Sequence, residues 1–305
     1  MDVGTGKPRW KYDTRADGNA AQFHGNPLIT GDLLVTGSDG QGGGYTYAFE
    51  RMTGELRWKI QTSGWSTDLV RFGDLVIGGT DVGDLTALEI ASGKSAWTWS
   101  PAARPYGRMH SRSPALLGDR LFYAGPDGKV YALDAASGKV LWERDLGCNI
   151  TTALLATDAG VYAGGADRHL YRLAPATGAV TARIELEAAP YFRQITAGGS
   201  ILAQIGEAGF IAIDPDLKEV RWKRTASKEW STPRPLVVGE TVLVGGPGEL
   251  NALRVEDGTV VWSSKVEGTP RGLGFSERVL YVGTLRGQLS AYELGPDRPQ
   301  GSVRP

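Results

Sequence analysis

The chain has 305 residues, and its 33 Lys and Arg balance 34 Asp and Glu to leave a formal net charge of −1. Because this balance creates no overall field of one sign, it argues against recruitment to nucleic acid or to an anionic membrane surface. Cys148 is the single cysteine, so no intrachain disulfide is possible. No run reaches the about 18 apolar residues of a membrane helix.

One motif recurs along the chain. It consists of an alternating strand, a turn rich in Asp, Ser and Gly, and a second strand that closes on a tryptophan. Its clearest copy is YALDAASGKVLW, and related copies occupy 47–58, 86–97, 171–182, 211–222 and 251–262, with a half copy over 2–10. In the copy over 171–182, Ala182 stands in the tryptophan slot. A strand-based repeat of about 40 residues is typical of a β-propeller with one blade per repeat.

Each repeat divides into four short strands, a to d, and strand b is the easiest to count. It occurs seven times, as LLVTGS, LVIGGT, LFYAGP, VYAGGA, ILAQIG, VLVGGP and VLYVGT. We therefore predict an all-β fold, a seven-bladed β-propeller of four-stranded antiparallel blades. The propeller would span residues 1–294, and 295–305 would be a flexible tail or linker.

The two ends of the chain are complementary. The last repeat supplies strands a (269–275), b (279–283) and c (288–293) but no strand d, whereas the N-terminus supplies a lone strand over 8–12. We predict that the N-terminal strand d pairs with the C-terminal strands a–c and closes the ring. This pairing would leave no open edge between the first and last blades.

The residues of the motif have physical roles in the prediction. The turn glycines would accept positive φ, and Asp134 and Asp214 would bond turn amides. A tryptophan is too large for a solvated outer strand, so we expect it to bury itself between neighbouring blades. The predicted structural girdle consists of Trp10, Trp58, Trp97, Trp142, Trp222 and Trp262.

Strings such as YALDAASGKVLW and FIAIDPDLKEVRW resemble the PQQ-like (pyrroloquinoline-quinone-type) propeller repeat, approximately A-x-D-x-x-T-G-x-x-x-W. The resemblance covers about residues 1–294. Members include quinoprotein dehydrogenases, BamB-type outer-membrane assembly lipoproteins and sensor propellers of bacterial kinases. The resemblance implies a cell-envelope or periplasmic location. The start of this chain does not read as a signal peptide, so either the protein is cytosolic or the chain is a mature or excised domain, and we expect the excised domain.

The sequence departs from the enzymes of that family. The resemblance to dehydrogenases implies eight blades, a vicinal cysteine pair over the quinone and a calcium site, and BamB-type proteins also have eight blades. This chain has seven strand-b units and one cysteine, and no Asp, Glu and Asn cluster stands at calcium-loop spacing. We therefore expect no cofactor. If one were bound, the resemblance implies that it would be PQQ with calcium.

The starts of strand a surround the axial opening of a propeller, and a ligand would be met there. The position five residues before the a–b turn reads Asn26, Asp68, Ser113, Thr152, Arg193, Arg234 and Arg271, with Arg112 one step away. The arginines would make one side of this rim electropositive and suited to a carboxylate or phosphate. Aromatic residues lie nearby in sequence, namely Phe23, Trp65, Tyr191, Phe192 and Trp230.

The rim is therefore predicted to bind an acidic peptide or a small anion. The alternative is that the arginines pair with Asp68, Glu229 or backbone carbonyls and only line a wet channel. His24 and His110 also lie at strand a starts, but only Asp68 offers itself as a further ligand, so no metal site is predicted.

Other chemistry has little support. No G-x-S-x-G elbow is present, and Cys148 has no neighbouring histidine, so we expect a buried, inert thiol. The Pro- and Arg-containing segment 100–108 is either a partner contact or a length variation.

The sequence favours a non-catalytic propeller, a monomer without nucleic-acid binding, that acts as a protein-interaction scaffold or ligand-sensing domain. The alternative is a quinone-binding or metal-dependent enzyme that acts at the axial opening. The sensory ectodomain of a larger receptor is compatible with the first reading.

Overall fold

The structure is a computed structural model. It describes residues 9–17, 23, 25–38, 43–62, 64, 67–80, 82–103, 113–206, 209–225, 235–276, 278–284 and 289–293. Within these ranges there are 28 β-strands, one 3-10 helix over Thr14–Asp17 and no α-helix. No helix of the described residues is long and apolar enough to cross a membrane. The predicted tail over 295–305 lies outside the described residues.

The chain divides into two compact units. Unit 1 comprises 1–163 and 173–179, and unit 2 comprises 164–172 and 180–305. Each unit is built from antiparallel sheets of sequential strands.

Unit 1 holds three four-stranded sheets and a further strand pair. The first sheet is β1 (Leu28–Thr30), β2 (Leu33–Gly37), β3 (Gly44–Glu50) and β4 (Leu56–Thr62); the second is β5 (Val70–Phe72), β6 (Leu75–Gly79), β7 (Leu85–Glu89) and β8 (Ser95–Trp99); the third is β9 (Ala115–Leu117), β10 (Arg120–Ala124), β11 (Lys129–Asp134) and β12 (Val140–Asp145). They are followed by the two-residue strand β13 (Thr152–Ala153) and by the pair β14 (Leu155–Thr157) and β15 (Gly160–Gly164).

Unit 2 continues the series. Its strands are β16 (His169–Leu173) and β17 (Val180–Glu185); β18 (Pro190–Ala197), β19 (Ser200–Ile205), β20 (Gly209–Ile213) and β21 (Val220–Thr225); β22 (Leu236–Val238), β23 (Thr241–Gly246), β24 (Glu249–Arg254) and β25 (Val260–Lys265); and β26 (Pro270–Ser276), β27 (Val279–Thr284) and β28 (Leu289–Glu293).

In chain order these strands form seven successive groups with the a-b-c-d order that the sequence predicts, and the fold is an all-β, seven-bladed β-propeller. The seventh group has three strands among the described residues. Residues 9–12, the described part of the predicted closing strand, have no strand assignment. The pairing of that segment with the last strands stays a prediction.

Strand b of each sheet is mostly apolar because both of its faces are largely buried. In the second sheet, Val76 joins the cluster shared with the first sheet, and the adjacent Ile77 joins the cluster shared with the third. In unit 2, Val242 and Leu243 likewise belong to the two clusters on either side of their sheet. An unbroken apolar run is the pattern expected for a strand with no solvated face.

Candidate functional site

The first strands of consecutive sheets lie beside one another. In unit 1, β1 lies near β5, β5 near β9 and β9 near β14, and in unit 2 β22 lies near β26. The rim position that the sequence singles out lies in the first strand of its sheet or two to three residues before it.

In unit 1 the rim position joins sheets to each other. The backbone N–H of Asn26 donates to Oδ1 of Asp68 at 2.7 Å, and the backbone N–H of Asp68 donates to Oγ of Ser113 at 3.0 Å. Asp68, Ser113 and Thr152 are all buried. This half of the predicted rim is therefore a hydrogen-bonded seam, in which small polar side chains replace water as partners for backbone groups.

In unit 2 the same position carries exposed arginines, Arg193 on β18 and Arg271 on β26. Both lie where the pairing of strand a with strand b shifts register. Tyr191 pairs with Gln204 but Ile195 pairs with Leu202, so three residues on β18 face one on β19. A β-bulge of this kind re-aims side chains, and bulges are common beside binding sites.

Arg271 lies in the second irregularity. Pro270 pairs with Thr284 and Gly272 with Gly283, which leaves Arg271 between two paired neighbours. Arg271 makes no ion pair within the part of the chain that the structure describes. The sequence carries a signal for this bulge, since Gly272 interrupts a strand and glycine inside a strand often marks one.

The neighbourhood of Arg193 alternates sharply in exposure. Tyr191 is 42% exposed, whereas Gln194 is 1% exposed. The aromatic ring of Tyr191 and the guanidinium of Arg193 thus reach solvent from one strand. An exposed aromatic ring with an arginine two residues away is a usual composition for a recognition surface.

Several predicted rim residues cannot be placed. His24, Trp65, His110, Arg112, Trp230 and Arg234 lie outside the described residues, as does the side chain of Phe192. The described rim candidates are therefore Arg193, Arg271 and Tyr191, with Asp68 in the seam of unit 1.

The tryptophans of the predicted girdle form a repeated contact between consecutive sheets. The indole N–H of five of these six tryptophans donates to a backbone carbonyl of the next sheet: Trp10 to Arg51 (3.0 Å), Trp58 to Ile90 (2.8 Å), Trp97 to Ala135 (3.2 Å), Trp142 to Pro175 (3.0 Å) and Trp222 to Val255 (2.8 Å). Sequence reasoning predicted burial of the ring but not this partner. We call the arrangement the Trp–Gly contact, because each ring also lies against the turn glycine of the next repeat.

The glycine is required for two reasons. The five turn glycines have φ between 68° and 76°, a region that L side chains rarely adopt. A Cβ would also lie 2.4 to 2.8 Å from an indole atom: Gly54 against Trp10, Gly93 against Trp58, Gly138 against Trp97, Gly178 against Trp142 and Gly258 against Trp222. No side chain fits without moving the ring.

The turn aspartates act as predicted. Oδ1 of Asp134 accepts from the backbone N–H of Ser137 at 2.8 Å, and Oδ1 of Asp214 accepts from the backbone N–H of Asp216 at 2.8 Å. The hydrogen bonds from Ser137 hold the pKa of Asp134 below its ordinary value. These residues shape turns and carry no chemistry.

Among the described residues, no three His, Cys, Asp or Glu side chains come together as a metal site. The Nδ1 of His169 lies 3.0 Å from the carbonyl oxygen of Asp167 in its own turn. Cys148 is half-buried rather than buried as predicted, because it lies in the loop before β13 and outside the apolar clusters. The vicinal cysteine pair of a dehydrogenase site is absent from the sequence.

The profile of the outer membrane protein assembly factor BamB family matches residues 1–111 and 81–272. The BamB of Yersinia pestis is 22% identical over 88% of this chain and 72% of its own length. The serine/threonine-protein kinase AfsK of Streptomyces coelicolor is 27% identical over 48% of this chain and 17% of the kinase. The crystal structure of BamB from Moraxella catarrhalis superposes with a TM-score of 0.77 at 21% identity, covering 89% of this chain and 85% of that one. The chain belongs to the BamB family of PQQ-like β-propellers.

Proposed function

We propose that the protein is a non-catalytic interaction scaffold of the cell envelope that holds a protein partner at the rim of unit 2. The observation that carries this proposal is that two exposed arginines, Arg193 and Arg271, both lie at β-bulges. The residues before and after each bulge pair regularly with the adjacent strand. The relatives named above are outer membrane protein assembly factors, which supports the envelope and the scaffold role.

The partner surface that fits this rim is acidic. Guanidinium groups bind carboxylates through paired N–H donors, and Tyr191 adds an aromatic face beside Arg193. The small polar seam of unit 1 has its groups engaged between sheets. We therefore expect an acidic peptide segment to bind the unit 2 rim. We also expect the protein to be a monomer.

A binding experiment tests the proposal. A fluorescent glutamate-rich decapeptide is titrated with the protein and followed by anisotropy. Replacing Arg193 and Arg271 together by Ala should weaken binding about tenfold, since each exposed charge contact contributes about 0.2–1 kcal/mol. Arg183→Ala, an exposed arginine of the outer strand β17, is the matched control and should leave affinity unchanged. Equal affinity of the double variant and the wild type would contradict the rim assignment.

The role needs no cofactor, and a thermal-shift titration with pyrroloquinoline quinone and with calcium tests that point. We expect the melting temperature to stay constant, because only a ligand that binds the native state raises it. A rise that saturates with quinone or calcium would favour the enzyme alternative.

A further inference from the structure

Two grooves occupy equivalent places between consecutive sheets, one in each unit. Groove 1 lies between the first and second sheets, has a volume of about 890 Å³ and is lined by Thr30, Asp32, Leu33, Glu50, Arg57, Asp74, Leu75, Glu89, Ile90 and Ala91. Groove 2, of about 340 Å³, is lined by Gly198, Ser200, Arg221, Gly239, Glu240, Arg254, Val255 and Glu256.

The repeat makes the two grooves comparable residue by residue. Arg57 and Arg221 both stand directly before the tryptophan of strand d. Asp74 and Glu240 both end the a–b turn of the following sheet. The last residue of strand c is Glu89 in groove 1 and Arg254 in groove 2.

In groove 2 the lining arginine of strand d is bonded to its own sheet. The guanidinium of Arg221 donates to the carbonyl of Gly199 (2.8 Å), to Oγ of Ser200 (2.8 Å) and to Oδ2 of Asp214 (2.9 Å). Arg254 forms an ion pair with Asp257 at 3.2 Å. This architecture therefore binds a guanidinium between a turn carbonyl and a carboxylate when one is supplied from within the chain.

Groove 1 has more carboxylates than guanidinium groups. It is lined by four carboxylates and one guanidinium, that of Arg57. Within the described part of the chain, Arg57 makes no hydrogen bond or ion pair, and the carboxylates of Asp32 and Asp74 accept none. Glu50 and Glu89 accept hydrogen bonds within their own turns, so Asp32 and Asp74 are the carboxylates that would attract a cation from outside the chain.

The kind of cation follows from the lining. The carboxylates of groove 1 do not converge as a metal site among the described residues. They are spread over two sheets, and the apolar side chains Leu33, Leu75 and Ile90 also line the groove. Apolar surface rimmed by carboxylates fits the long methylene stems and charged heads of lysine and arginine side chains.

We propose that groove 1 docks a basic, extended segment of a partner protein, whose lysine or arginine side chain binds the carboxylates of Asp32 and Asp74. The groove would then hold a segment of opposite charge to the one expected at the unit 2 rim. The two sites involve different residues, so each stands or fails by itself.

The probe is a fluorescent decapeptide of alternating lysine and serine, titrated with the full chain at low salt, with alternating glycine and serine as the uncharged peptide control. Asp32→Asn combined with Asp74→Asn should weaken binding of the lysine peptide about tenfold, the sum of two exposed charge contacts. Arg57→Ala should strengthen it about threefold, because it removes the one cation of the groove. Glu240→Gln, the groove 2 counterpart of the Asp74 change, should leave it unchanged.

The proposal is overturned if the lysine peptide fails to bind the wild type, if Asp32→Asn with Asp74→Asn binds it as tightly as the wild type, or if the uncharged peptide binds the wild type equally well. Since neither carboxylate makes a bond among the described residues, the double variant should melt at the wild-type temperature. Arg57→Ala should strengthen binding of the lysine peptide, whereas the double variant should weaken it. A general loss of folding could not produce both results.

Discussion

Five contacts between consecutive sheets pair a tryptophan with a turn glycine. At one further position both of these residues are replaced. Where the fourth repeat has Ala182 in place of tryptophan, the following turn has Lys218 in place of glycine. In that turn the positive φ moves one residue earlier, to Leu217 at 58°, and Leu217 is 5% exposed. The tryptophan and the glycine are thus one structural unit, and the chain has lost or kept them together.

Removal of one tryptophan should have the largest effect on this comparison. Trp222 is 9% exposed and donates to the carbonyl of Val255. Trp222→Ala should lower the free energy of unfolding by about 4 kcal/mol, because it empties a packed site and leaves a carbonyl without its donor. Urea denaturation measures the change, and Val220→Ala at the exposed start of the same strand should cost less than about 1 kcal/mol.

Adding a methyl group at the turn should have the next largest effect. Gly138→Ala should cost about 3 kcal/mol, from the positive φ and from a Cβ that would lie 2.6 Å from the ring of Trp97. Gly118→Ala in the same sheet is the matched control. Gly118 has φ of 60° with nothing within 4 Å of the added Cβ, so only the backbone strain of about 1 kcal/mol applies. Equal losses would show that the ring does not constrain the turn.

The position that lacks both the tryptophan and the glycine can be given both residues by substitution. Ala182→Trp alone should destabilise the protein by about 2 kcal/mol, since the opposing turn has no glycine to receive the ring. Combining it with Leu217→Ser and Lys218→Gly, the residues of the turn over 134–139, should recover that loss. Denaturation of the three variants gives the coupling free energy, and simple additivity would refute the pairing.

A carboxylate, that of Asp17, is hydrogen-bonded to the residues that pack around the first Trp–Gly contact. Removing its charge should have the smallest of the expected effects. Asp17 accepts from Tyr12 (3.4 Å), Tyr47 (3.2 Å) and Lys59 (2.6 Å). Burial alone would raise the pKa of Asp17, but these hydrogen bonds outweigh burial and lower it. Tyr12 in turn lies against Phe49, which also contacts Trp10.

A folded-state pKa below the unfolded one stabilises the protein above the unfolded value, and this contribution disappears as pH falls through the folded value. Asp17→Asn should therefore be less stable than the wild type at neutral pH, and the difference should shrink below about pH 4, the unfolded value, and vanish below the folded-state pKa. Urea denaturation from neutral to acid pH measures it, with Gly118→Ala, which removes no titratable group, as a control whose difference from the wild type should not depend on pH. A difference that persists in acid would mean that the loss is not electrostatic.

The repeat, the seven sheets and the matched positions of tryptophan and glycine could be read from the sequence, because a period of about 40 residues and a two-residue alternation leave direct marks. The acceptor of each indole could not be read. It lies 32 to 41 residues away in the next repeat, and its choice depends on how two sheets pack.

The site was predicted less completely than the fold. The alignment placed Arg193 and Arg271 in one register with Asp68, yet the structure separates a buried seam from exposed arginines. The bulges decide this difference, and a bulge depends on the residue count in two paired strands. The grooves were not predicted at all, since their lining comes from residues that single-strand patterns treat as ordinary turn positions.

The five indole hydrogen bonds also give the molecule its own set of reporters. Each of these N–H protons is held by a carbonyl of the neighbouring sheet, so it can exchange with solvent only when that pair of sheets separates. Their five signals, well resolved from backbone amides, would record the opening of five individual seams along one chain, with no label added.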